Sequence, residues 1–160
     1  MIRMLAVSLF GAIVSTAGLV GWAQPALAQD ALVAEGVEVP EARIEVRDLK
    51  RTDGDAVTLR LRLINNSDDE FAAACDMRES GSESCGHFTG AYLLDKPNKK
   101  KYLFIRDSDN ACVCSDIDDV PAGKTVNLWA TYPAPPADVQ KLTVIVPHFE
   151  PIEGVPITGE

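Results

Sequence analysis

Few side chains in this sequence could do chemistry: four cysteines, two histidines and one aspartate-rich run. Cys75 and Cys85 bracket the polar segment Asp76 to Ser84, while Cys112 and Cys114 flank a single valine. Thiols so placed can pair with one another or hold a soft metal. Cys75, Cys85, Cys112, Cys114 and His87 could in principle surround a four-coordinate zinc or copper(I) ion. Their spacing, however, lacks the paired Cys-x2-Cys or Cys-x4-Cys knuckles of zinc ribbons and fingers. Met77 is the only methionine beyond residue 4, so the late cysteine, histidine and methionine of a blue-copper centre are missing as well. No Cys-x-x-Cys opens a helix, the arrangement that stabilises a thioredoxin-type thiolate. Disulfides are therefore the first expectation, and no metal ligand or cofactor is assigned.

Spacing alone permits three pairings. Cys75 with Cys85 and Cys112 with Cys114, both local, are favoured, and cross-pairing of the two loops stands as the rival. The first bridge would close a loop of about eleven residues and constrain the unfolded chain by roughly 2.5 to 3 kcal/mol. The second closes a tight ring, whose strain would make it easier to reduce.

The acidic run carries Asp107, Asp109, Asp116, Asp118 and Asp119. It lacks the glycine at position six and the glutamate at position twelve of an EF-hand loop, so it is read as a solvated turn and a candidate interaction loop. His87 and His148 accompany no Gly-x-Ser-x-Gly elbow, no triad can be placed, and no catalytic residue is assigned. Asn65-Asn66-Ser67 matches the glycosylation sequon, which carries meaning only in a eukaryotic secretory pathway.

The compartment follows from the start of the chain. Arg3, the apolar run Leu5 to Val20 and Ala26-Leu-Ala28 have the layout of a cleaved secretory signal peptide over residues 1–28, with a retained membrane anchor as the competing reading. Export places four cysteines where they oxidise. The remaining 132 residues are enough for one hydrophobic core. Arg3 is the only charge in the leader, so the net charge moves from −9 to −10 on its removal, which disfavours nucleic-acid binding. No later segment is apolar enough to span a bilayer, so no membrane insertion is expected after cleavage.

The elements that must position these residues read as strands. Residues 29–41 show no sustained period and are taken as a flexible lead-in, with one domain over 42–160. Ile44 and Val46 alternate with charged neighbours, and Val57, Leu59, Leu61 and Leu63 alternate with Thr58, Arg60 and Arg62. Asp53-Gly54 supplies a hairpin turn between them. Phe71 to Cys75 fits either a short strand or one helical turn, and Cys75 to Cys85 an exposed loop. Phe88 to Leu94, Lys99 to Ile105, Val126 to Tyr132 and Leu142 to Val146 follow as strands, with Gly154 to Ile157 as an edge strand at best because of its prolines. Helix is confined to a turn near Pro136 to Val139. About seven or eight short strands with turns between them predict an all-β antiparallel sandwich.

Gly90-Ala-Tyr-Leu-Leu-Asp95, Lys100 to Asp107, Cys112-Val-Cys-Ser115, Pro121-Ala-Gly123 and Leu128 to Pro136, taken together, resemble an uncharacterised family of exported bacterial immunoglobulin-like domains. Similar domains occur alone or ahead of OmpA-like peptidoglycan-binding modules. The resemblance implies an immunoglobulin-like sandwich, a secreted, periplasmic or cell-envelope location and no known catalytic residues. The expected function is a non-enzymatic binding or structural module whose partner is an envelope protein or polymer. The alternative is an extracytoplasmic metal-handling protein that uses the cysteine loops or Asp107 to Asp119.

Overall fold

A computed structural model describes residues 32–53 and 55–159, so the expected signal peptide over residues 1–28 lies outside the described residues. Among the described residues, eight strands and one helical turn follow one another. They are β1 (Leu32–Glu35), β2 (Ala42–Thr52), β3 (Ala56–Asn65), α1 (Ala73–Asp76), β4 (Tyr92–Asp95), β5 (Lys100–Tyr102), β6 (Thr125–Pro133), β7 (Lys141–Ile145) and β8 (Ile152–Thr158). The strands form one sheet in the order β5-β4-β7-β8-β2-β3-β6, with β1 lying beside β2.

The alternation of β3 holds at its apolar positions but not at Thr58, expected on the polar face, which is buried and shares a 3.2 Å hydrogen bond with Thr131 of β6. Val57, Leu59, Leu61 and Leu63 are all buried, while Arg60 is exposed and salt-bridged to Asp48 at 3.0 Å. Each such side chain, taken wholly out of water, contributes about 1.5–3 kcal/mol. β2 pairs with β3 along its length, but its register slips between Val46 and Asp48. The extra residue, Arg47, reverses the phase, so that even-numbered Ala42 and Ile44 and odd-numbered Leu49 are all buried. That bulge also divides the other edge of β2. β1 pairs with its first half, and β8 runs parallel to its last turn at Leu49↔Ile157 and Lys50↔Thr158.

Besides β4 and β5, which take up only part of the expected Phe88 to Leu94 and Lys99 to Ile105, three features differ from the sequence reading. Leu32–Glu35, assigned to a lead-in, is a strand that buries Ala34; four residues are too few for a period to show. β8, expected at an edge, lies between β7 and β2, and its pairing with β2 departs from a purely antiparallel sheet. A proline is tolerated there because β8 shares its length between two neighbours, pairing with β7 from Ile152 to Pro156 and with β2 only at Ile157 and Thr158. The helical turn forms at the alanine run, while Pro136 to Val139 is a hydrogen-bonded turn. Arg51 holds that turn by donating to the carbonyls of Pro135 at 2.9 Å and Pro136 at 3.0 Å.

The sheet curls so far that the chain just past β5 reaches β6. The backbone N–H of Ile105, three residues past β5, donates to Thr131 O of β6 at 2.8 Å. Deep in the core the Tyr132 hydroxyl of β6 donates to Ala91 O beside β4 at 3.3 Å, although four strands lie between them in the sheet order. The core fills the concave side, with Ile44, Leu59, Leu93, Val144 and Phe88 among its most buried members.

Candidate functional site

The structure pairs Cys75 with Cys85 and Cys112 with Cys114, the local arrangement. With every sulfur bonded, no thiolate is left to ligate a metal. The first bridge closes a loop that starts on α1. Its helical turn is held from outside by Asp119, whose Oδ1 accepts the N–H of Ala74 at 3.1 Å. This loop is less exposed than its composition implies, because Met77 and, just beyond Cys85, Phe88 are fully buried and pin it to the core. Arg78 donates to the carbonyls of Ser82 and Cys75, closing the loop from within.

Gly90 marks where the loop returns to the sheet. A Cβ there would stand 2.6 Å from both Arg78 O and Pro147 Cγ and 2.7 Å from Met77 O, so only glycine lets the three segments approach. Gly90→Ala should destabilise the domain by about 1–3 kcal/mol. Urea unfolding checks this, and a variant as stable as the parent would refute the close approach.

The second loop is a hairpin over Arg106 to Cys112, organised by Asp107. The Asp107 carboxylate accepts the N–H groups of Asp109 at 3.0 Å and Ala111 at 2.9 Å, and Asn110 turns the chain with a φ of 64°. Cys112-Val-Cys114 then runs along β6. Val113 N–H donates to Ile105 O at 2.8 Å, Thr131 N–H to Val113 O at 3.0 Å, and Ser115 N–H to Trp129 O at 2.8 Å. The segment between the cysteines is thus the clasp that joins the two ends of the curled sheet.

The two disulfide loops lie side by side. Phe88 N–H donates to Ser115 O and Ile117 N–H to Gly86 O, each at 3.0 Å. His87 Nδ1 sits 2.9 Å from Asp116 Oδ1, and Arg106 bonds Glu79 at 3.1 Å across the gap. Between them is an open cleft of about 440 Å³ whose walls include Ser82, Ser84, Thr89 and both Cys112 and Cys114.

No family model matches this chain, and neither curated proteins nor solved structures supply a match.

The aspartates of the acidic run are not gathered into one site. Asp107 shapes its own turn, Asp116 faces His87, Asp119 caps α1 and Asp118 is exposed without a partner among the described residues. No three histidine, cysteine or acidic side chains converge as a metal cage among those residues. His87, for which the sequence places no triad, and Arg106 and Glu79, which carry no sequence motif, line the cleft together. Separations of 29 residues for His87 and Asp116 and 27 for Arg106 and Glu79 left no local pattern to find them by. A larger groove of about 810 Å³ lies on the other side of the first loop, floored by Tyr92, Leu103 and Ile145, with Lys101 Nζ 3.8 Å above the Tyr92 ring.

The sequon is also resolved by geometry. Asn65 is 1% exposed, and its side-chain N–H groups donate to Asp69 O at 2.8 Å and Val120 O at 2.9 Å. It is a structural residue, closed to glycosylation in the folded chain.

Proposed function

We propose that this chain is an exported, non-enzymatic binding or structural module of the bacterial cell envelope or exterior, built as an immunoglobulin-like β-sandwich. The observation that carries the reading is the union of two separately cross-linked loops into one surface, whose cleft is lined by the carboxylates of Glu79 and Asp116. Loops held on a rigid sheet are the usual place for recognition, and disulfides lower the ordering cost of binding. The signal-peptide layout and the family resemblance support the location. The partner is an envelope protein or polymer that presents cationic groups to Asp109, Asp116 and Asp118, because these carboxylates are exposed and Asp109 and Asp118 have no cation beside them among the described residues.

Asp116→Asn with Asp118→Asn, leaving Asp119 to cap α1, tests this against an oligolysine probe by titration calorimetry. The parent should bind, more weakly as salt rises, and the double variant should bind several-fold more weakly at an unchanged unfolding midpoint. Equal binding by parent and variant would remove Asp116 and Asp118 from the interface. Stoichiometric uptake of calcium, zinc or copper in equilibrium dialysis would favour the metal-handling reading instead.

A further inference from the structure

We infer that the Cys112–Cys114 disulfide is a thiol-exchange site, a covalent contact point for a thiol-bearing ligand, which goes beyond the binding role proposed above. Three observations carry this.

The bond is redundant as a staple. It spans a single residue, so it removes little freedom from the unfolded chain, whereas Cys75–Cys85 closes a separation of 10 residues. The backbone on both sides of its sulfurs is already fixed by hydrogen bonds that do not involve them. Val113 is bonded to Ile105 and Thr131, Ser115 to Trp129, and Cys114 lies in bridge register with Ala130 of β6. Opening the ring therefore leaves the clasp in place. The Cys75–Cys85 loop is also crossed by hydrogen bonds, Gly86 N–H to Ala74 O and Gly90 N–H to Met77 O, each at 2.8 Å, so the two bridges differ in the length of chain they close rather than in the bonding around them.

The sulfurs also have an approach. Both cysteines are partly exposed and line the cleft, which is wide enough for a small thiol or for the cysteine side chain of an extended peptide. The walls are polar: Ser82, Ser84 and Thr89 offer hydroxyls, and Arg106 and His87 offer nitrogen groups. Arg106 is tied to Glu79 and His87 Nδ1 lies against Asp116, so both carboxylates of the cleft already have a nitrogen partner.

The exchange is balanced without further reagents. An incoming thiolate attacks one sulfur of the pair, the Cys112–Cys114 bond breaks, a mixed disulfide forms, and the other cysteine leaves as a thiolate that takes a proton from water. A second thiolate attacking the mixed disulfide releases the ligand as its own disulfide and leaves two protein thiols. Two electrons pass from the two ligand thiols to the protein pair. Return of the freed cysteine onto the mixed disulfide reverses the first step, so capture is reversible.

The test uses the oxidised chain, native and folded, in glutathione buffers of graded ratio, followed by acid quenching, alkylation and peptide mass spectrometry. Cys112–Cys114 should be half-reduced at a reducing ratio at least tenfold milder than Cys75–Cys85, with the far-ultraviolet circular dichroism unchanged. A glutathione adduct should also accumulate on Cys114 in Cys112→Ser and on Cys112 in Cys114→Ser. Co-reduction of the two bridges, reduction of Cys112–Cys114 only on unfolding, or single variants that take up no glutathione while folded would each overturn the assignment. The titration of the parent chain decides the matter even if a serine variant fails to fold.

Discussion

Asn65→Asp should destabilise the domain by about 3–5 kcal/mol at neutral pH, the scale of an uncompensated buried charge. The side-chain N–H groups of Asn65 point at the carbonyl oxygens of Val120 and Asp69, and its Oδ1 accepts the backbone N–H of Ser67 at 3.1 Å and the Ser67 hydroxyl at 2.7 Å. Aspartate would replace two donors with an anionic oxygen facing two acceptors. The site is closed to water, so the charge finds no substitute partner there.

The same substitution has a pH signature. Burial and the facing carbonyls raise the folded-state pKa of the new carboxyl above its unfolded value of about 3.9. Below that value both states are protonated, and one restored O–H donor can reach Val120 O, so the deficit against the parent should shrink sharply near about pH 4. It should grow as pH rises through the folded pKa. Parallel urea unfolding of parent and variant at both pH values measures this. A deficit that is small at neutral pH, or one that ignores pH, would mean that the loop after β3 does not depend on the Asn65 bonds.

Tyr132→Ala should cost about 3–5 kcal/mol, because it empties the centre of the curled sheet. Tyr132 is the bulkiest of the fully buried side chains, and its hydroxyl reaches from β6 to Ala91 O beside β4. Tyr132→Phe isolates the hydroxyl and should cost about 1 kcal/mol. Burial holds the phenol well above its ordinary pKa, so the folded chain keeps the proton after the unfolded chain has lost it. That contribution is complete below about pH 10 and is lost as pH rises beyond it, and the phenylalanine variant should be the less alkali-sensitive protein.

Tyr102 supplies the opposite sign. Its hydroxyl is buried and has no partner among the described residues, so Tyr102→Phe should leave stability unchanged or raise it by about 1 kcal/mol. Chemical unfolding of the two phenylalanine variants side by side distinguishes a hydroxyl that joins two ends of a sheet from one that is only enclosed. If both lose equal stability, the Ala91 bond has no special weight.

Much of the scaffold is legible locally. The even spacing of Val57, Leu59, Leu61 and Leu63 sets which face of β3 is buried, because successive side chains of a strand point to opposite sides. The polar run between Cys75 and Cys85 could only be a loop, and closeness in sequence was enough to favour each cysteine's partner. The weak local signals belong to short elements. Neither four residues of β1 nor one helical turn at Ala73–Asp76 carries a full pattern.

The site itself was hidden for a different reason. Whether Cys112-Val-Cys114 hangs free or clasps β6 depends on whether the chain after β5 reaches the edge at Thr131, and that is settled by how far the whole sheet curls. The meetings of His87 with Asp116, Arg106 with Glu79 and Asn65 with Val120 are likewise products of burial shared among distant segments, which hydrophobic period does not encode. By itself the sequence determined the buried apolar positions of β3, the net charge and the favoured cysteine partners, since these are read from composition or from neighbours within a few residues. Only the tertiary structure decided the phase change in β2, the position of β8, the curl of the sheet and the cleft between the disulfide loops, because those depend on which surfaces leave water together.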